Sequence, residues 1–273
     1  MTVVWAWSDL GNHTFQKHNI KQYWLLMSVI SVRKFNPKWK RVFLTDDITA
    51  TYIEERGWTN LWDEVVVKDF TNTEYGNLYD IKIYSWPKLY SYGVVDDDII
   101  VLDTDIVFTR PFVIDNPSQI SGATYNHYDD FLIKTAESNL RWKWNDIDCV
   151  QNELYKNGII DDRMEQKTMC FVGAPIYCPR QYTKSLQSYM LNHIQKVEKY
   201  YGDVTPNGTF YSIEEEFPLS QFARVNTGMG VIDRKYYRHG FVYEAEYDLT
   251  KGFTKPEVLL GEPVFEKYLK NNG

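Results

Sequence analysis

Ile99-Ile-Val-Leu102 is a run of four apolar residues with no polar alternation, and Asp103-Thr-Asp105 follows it at once. A short apolar run of this kind reads as a strand buried on both faces. Such strands belong to parallel sheets covered by helices, which narrows the fold class sharply. The carboxylates then stand at the strand's carboxyl end. In extended chain Asp103 and Asp105 point to the same face, because side chains alternate with period two. Ligands of open α/β sheets bind beyond the carboxyl ends of strands. Two carboxylates close together there repel each other unless a cation lies between them. Mg2+ or Mn2+, held by one or two carboxylates plus substrate phosphates, fits that arrangement. The chain has two other Asp-x-Asp pairs, Asp96/Asp98 and Asp146/Asp148, and both sit in polar surroundings. Only the middle pair ends a buried strand, and context is what makes so short a motif informative.

The rest of the chain agrees with an α/β reading. Val3-Val-Trp-Ala-Trp7 is a first strand, followed by the polar turn Ser8 to Thr14. Apolar residues at helical spacing fill Tyr23 to Phe35, and Asn36-Pro37 stops that helix. Arg41 to Thr45 is a second strand, Asp46-Asp47 a cap, Ala50 to Arg56 a short helix and Glu64 to Lys68 a third strand. Leu78 to Tyr92 reads as a helix carrying Pro87, which removes a hydrogen bond and kinks it. Strands alternating with helices imply a doubly wound, mostly parallel sheet with helices on both faces. Beyond Pro111 and Asn116-Pro117 the pattern is less regular. Thr168 to Tyr177 reads as a strand, Tyr182 to Tyr200 as a helix, and Glu214 to Phe222 as acidic residues leading into a helical turn. A C-terminal helical stretch covers Pro263 to Lys270. The expectation is one domain over 1–273, with a ligand-binding half at 1–115 and a second half at 116–273 that takes the other substrate.

Composition excludes some classes. No run of 18 apolar residues exists, so no membrane-spanning helix is expected. Met1 leads almost directly into the first strand rather than into a signal peptide, and a cytoplasmic protein is expected. The three cysteines, Cys149, Cys170 and Cys178, have no metal-ligand spacing and read as buried thiols. A net charge of −7 argues against a protein that coats nucleic acid. Aromatic residues reach 16%, an excess that suits stacking on sugars or bases. Arg141-Trp-Lys-Trp144 interleaves cations and rings in the second half, as core, as a lid or as an acceptor platform.

Several blocks together resemble a known family. Lys82-Ile-x-x-Trp86, then Leu89, Tyr90 and Tyr92, then Ile-Val-Leu-Asp-Thr-Asp-Ile-Val107 resembles the central block of glycogenin and the bacterial lipopolysaccharide galactosyl- and glucosyltransferases. These are metal-dependent, retaining glycosyltransferases of the GT-A fold. Phe171-Val-Gly-Ala-Pro-Ile-Tyr177, Glu215-Glu-x-x-Leu-Ser-x-Phe222 and Gly252-Phe-Thr-Lys-Pro256 resemble later blocks in the same order. The family's loop histidine, its third metal ligand, falls on Leu249, and neighbouring Asp248 takes its place with a one-residue shift.

The resemblance implies a glycosyltransferase, hexosyl or pentosyl, that uses a UDP-linked nucleotide sugar with Mn2+ or Mg2+. Asp103, Asp105 and Asp248 would hold the metal. Lys255 and Gly252 would meet the diphosphate, and Lys82 would reach the donor. Glu215 and Glu216 would contact donor hydroxyls or steady an oxocarbenium-like centre; as plain residues they also suit a helix N-terminus. Ser8 and Asp9, at the end of the first strand, are nucleoside candidates by position. The acceptor is a glycan, a protein or a hydroxylated DNA base, as in phage-type enzymes. Two other readings compete: a sugar nucleotidyltransferase, and an inactive sugar- or nucleic-acid-binding module.

Overall fold

The computed structural model describes residues 1–8, 19–74, 86–125, 155–156, 170–201 and 215–239. Among them, four strands are parallel neighbours: β1 (Thr2–Trp7), β2 (Lys40–Thr45), β3 (Glu64–Val67) and β4 (Ile99–Leu102). A short ribbon strand β5 (Ile106–Phe108) follows, then β6 (Ile120–Tyr125), β7 (Cys170–Cys178), β8 (Met229–Val231) and β9 (Tyr237–His239). Seven of these form one sheet in the order β3-β2-β1-β4-β7-β6-β8, while β5 and β9 pair separately. The sheet is mixed and mostly parallel; β7 runs antiparallel to both β4 and β6. Strands from both sides of Pro117 therefore share it.

Burial on both faces follows directly from the apolar runs. Val4, Val42, Leu44, Ile99 and Val101 enter one core. Their neighbours Val3, Trp5, Phe43, Ile100 and Leu102 enter the other. Alternation along the strand sends successive side chains to opposite layers, so every residue of Ile99–Leu102 has to be apolar. Helix α1 (Asn19–Phe35) covers one face with Leu25, Leu26, Val29 and Val32, the spacing of a single helical stripe. Trp5 Nε1 donates to Ser28 Oγ of this helix at 2.8 Å, which satisfies the buried indole. Helix α2 (Asp47–Glu55) begins at the cap Asp46, whose carboxylate accepts from Thr49 N at 2.7 Å. The other face is covered by α3 (Trp86–Ser91), α4 (Arg180–Tyr201) and α5 (Phe217–Asn226). They contribute Leu89 and Tyr92, Leu186 and Met190, and Leu219 and Phe222.

Two local differences from the sequence expectations have plain causes. Of the helix expected over Leu78 to Tyr92, the described part runs Trp86–Ser91 and includes Pro87. Residues 78–85, the rest of the expected helix, lie outside the described residues. Among the described residues the second half adds strands that its sequence did not signal, because β6 mixes small and polar residues with apolar ones and β8 has only three residues. Finally, the chain leaves the extended conformation after Leu102, and Ile106 N donates to Asp103 O at 3.2 Å across a turn. Period-two alternation therefore does not govern Asp103 and Asp105.

Candidate functional site

The strand order reverses between β1 and β4. Strands β2 and β3 lie on one side of β1, and β4 begins the other side. In a doubly wound sheet, that reversal opens a crevice beyond the strands' carboxyl ends. Ser8, Asp46 and Asp103 stand at the carboxyl ends of β1, β2 and β4 respectively. The turn holding Asp103 and Asp105 is anchored beyond β5. Phe108 N donates to Ser31 Oγ of α1 at 3.0 Å, and Phe112 N donates to Asn36 Oδ1 at 3.0 Å.

Helix α5 reaches the same edge because β7 runs the other way. Val101 pairs with Ile176, so the earlier residues of β7 run on past the carboxyl end of β4. Phe171 N donates to Ser220 Oγ at 2.9 Å, and Ser220 Oγ donates to Glu216 O at 2.6 Å. That relay pins the first turn of α5 to β7. Glu215 and Glu216 form a π-type turn immediately before the helix, and Pro218 sits in its first turn.

At the centre is Lys88 of α3. Its ammonium lies 2.6 Å from Asp103 Oδ1 and 2.6 Å from Glu215 Oε1. Exposure is graded across the three: the Glu215 side chain is 7% exposed, Lys88 11% and Asp103 33%. Asp103 is thus the member that meets solvent. Burial works against the Lys88 charge, but the two carboxylates overcome it and raise the lysine pKa above its ordinary value. Burial dominates at Glu215. It pushes the carboxyl up to about 7, with Lys88 pulling down and Asp103 adding to the rise. The Tyr92 hydroxyl, one helical turn beyond Lys88, is fully buried and has no hydrogen-bond partner among the described residues. Its pKa rises well above the usual tyrosine value through burial first, then through the negative field of Glu215 and, less, of Asp103.

The expected site residues fare unequally. Glu215 is brought to Asp103, and Glu216 is buried beside it at the start of α5. Asp105 lies half-buried in the turn. Ser8 donates its hydroxyl proton to the buried Asp46 carboxylate, which ties the ends of β1 and β2 together. With its single proton committed, Ser8 could meet a ligand only as an acceptor. Asp9, Lys82, Asp248, Gly252 and Lys255 lie outside the described residues, as do Trp142 and Trp144. Cys178 is a buried free thiol, its pKa raised by burial and by Asp98. Lys88 and Tyr92 carry the centre of the site although the motif reading assigned them no role. The available signal was a lone cation within an otherwise apolar and aromatic helical run.

Oxygen donors at a strand end suit a hard divalent cation that keeps phosphate oxygens and water as its other ligands. Asp103 and Asp105 are of that type. No cluster of three or more metal-ligating side chains occurs among the described residues. No described helix is long and apolar enough to cross a membrane.

No protein-family model matches the chain, and no curated protein matches it in sequence. Among solved structures it is similar to the glycosyltransferase GlyE of Streptococcus pneumoniae TIGR4, at 9% identity and a TM-score of 0.43. That match covers 85% of this chain and 46% of GlyE, so the chain spans just under half of that protein's length. It is similar to the galactosyltransferase LgtC, solved with donor and acceptor sugar analogues, at 13% identity and a TM-score of 0.44, over 86% of this chain and 74% of that one. Mouse xyloside xylosyltransferase 1 is similar at 12% identity and a TM-score of 0.38, over 85% of each chain.

Proposed function

We propose that this chain is a glycosyltransferase that moves a sugar from a UDP-linked donor to a hydroxyl acceptor, with Mn2+ or Mg2+ bound at Asp103 and Asp105. The observation that carries the reading is the Lys88–Asp103–Glu215 cluster at the reversal point of the sheet. The two blocks that resemble the glycogenin and lipopolysaccharide transferase family meet there, one ending β4 and one opening α5.

Sugar transfer from a nucleoside diphosphate requires stabilisation of the charge that develops on the leaving group. A bound divalent cation supplies Lewis-acid stabilisation of that charge when present. Asp103, at the solvent-facing side of the cluster, and Asp105 would hold it. Lys88, paired to Asp103, would orient it and add positive charge near the crevice, where preorganised cations are most effective. Glu215, buried behind them, would contact donor hydroxyls or the electron-poor sugar carbon, as the family resemblance implies. Water is excluded on that side by Tyr92 and the apolar residues around it. Retention of anomeric configuration, Lys82 and Lys255 as donor contacts, and Asp248 as a third ligand follow from the family resemblance. The acceptor is a glycan, a protein or a hydroxylated DNA base.

The test is release of UDP from UDP-glucose, UDP-galactose and UDP-xylose, with Mn2+ and with EDTA. Wild type should release UDP only with metal, and Asp103→Asn should abolish release while its far-UV spectrum stays native. Full turnover in EDTA or in Asp103→Asn would remove the metal assignment. No release from any donor, with or without acceptor, would remove the transferase.

A further inference from the structure

The cluster at the end of β4 already holds a cation of its own. Asp103 and Glu215 carry two formal negative charges and Lys88 one positive. Yet Lys88 is shared: the same ammonium sits 2.6 Å from Asp103 and 2.6 Å from Glu215. Glu215 is the more deeply buried of the two carboxylates, so it depends on Lys88 the more. Asp103 is one-third exposed and can exchange partners at lower cost.

We propose that Lys88 is a positioning residue that acts as an internal counter-ion: it holds Asp103 and Glu215 together and competes with the divalent cation for Asp103. Loading the cation draws Asp103 off and leaves Lys88 paired with Glu215 alone. The ammonium therefore weakens cation binding by the free protein while it fixes the two carboxylates in place. This rests on the cation being held at Asp103.

The competition has a sign in the double variant that a purely structural lysine would not produce, since Glu215→Gln alone also deletes a negative charge near the cation. Glu215→Gln removes the competing pull on Lys88, so the ammonium settles on Asp103 and Mn2+ binding weakens. Lys88→Met with Glu215→Gln removes one charge of each sign, leaves no uncompensated buried carboxylate, and releases Asp103 from the ammonium. Mn2+ should then bind at least ~10-fold tighter than to wild type, the order expected when a close opposite charge in a half-buried site is removed. Lys88→Arg keeps the charge and should stay within about threefold of wild type, on the scale of a modest change in ion-pair geometry.

The experiment is Mn2+ titration of the purified protein followed by electron paramagnetic resonance of the free ion, at one pH and ionic strength. Wild type, Lys88→Arg, Glu215→Gln, the Lys88→Met/Glu215→Gln double variant and Asp103→Asn are compared, with circular dichroism to confirm folding. Tighter binding by the double variant together with weaker binding by Glu215→Gln supports the proposal. If the double variant does not fold, Glu215→Gln decides alone: unchanged or tighter Mn2+ binding overturns the competition. A folded double variant that binds Mn2+ no tighter than wild type also overturns it. Binding that is lost in Asp103→Asn but unmoved by the Lys88 variants overturns this inference and leaves the cation site standing. Wild type and Asp103→Asn binding Mn2+ equally poorly overturns both.

Discussion

At the scale of single residues, the ion-paired cluster separates two roles for Glu215. If it serves the reaction, Glu215→Gln should cut turnover about 100-fold, the scale of one lost transition-state contact. With turnover and binding both measured at saturating Mn2+, UDP binding should be nearly unchanged, as a calorimetric titration would show. A variant that melts earlier but turns over normally would make Glu215 a counter-ion for Lys88 and nothing more. The geometry already speaks against a simple helix-start charge. Glu216, not Glu215, occupies the residue before α5, and it makes no side-chain capping hydrogen bond. Asp103 was legible in the sequence because it follows a buried strand without interruption, a local pattern. Lys88 was not, since a lysine in a helix is ordinarily on the surface. Only two carboxylates arriving from other elements keep this one charged and buried.

At the scale of elements, the site depends on how closely β6 packs on β7, because β7 carries Phe171 and through Ser220 the start of α5. Gly122 of β6 permits that approach. A Cβ there would come within 2.5 Å of Ile176 Cδ1 and 2.6 Å of Phe171 Cδ1. Gly122→Ala should destabilise the protein by about 1–3 kcal/mol, the usual cost of overpacking a core. Urea unfolding would measure it, and a midpoint equal to wild type would show that Phe171 and Ile176 yield without cost. Strands β1 to β4 were readable because each is an apolar run of ordinary length bounded by turn residues. Strands β5, β6, β8 and β9 were not. Three of them have only three residues, and β6 is Ile-Ser-Gly-Ala-Thr-Tyr, too mixed to signal a buried face. Their conformation comes from the partners they pair with.

At the scale of the whole molecule, a donor complex should stabilise the fold by mass action. With Mn2+ and UDP at about 100 times their dissociation constant, the gain is ~2.7 kcal/mol, or roughly 5 °C in melting temperature for a chain of this size. Differential scanning fluorimetry would show it, and neither UDP alone nor Mn2+ with CMP should match it. An equal shift with every nucleotide would point to general phosphate binding. By itself the amino-acid order determined the fold class, the parallel half of the sheet and the paired aspartates at its end. These follow from patterns a few residues long, apolar runs and the breaks between them. Tertiary structure alone decided that Lys88 of α3 and Glu215 before α5 would meet Asp103. It also turned the Ser8 hydroxyl toward Asp46 and bent the chain at Asp103, where alternation had placed it extended. The physical reason is the same in each case: these contacts join residues far apart in the chain. Their energy comes from burying opposite charges and filling hydrogen bonds across elements, which no local window of sequence contains.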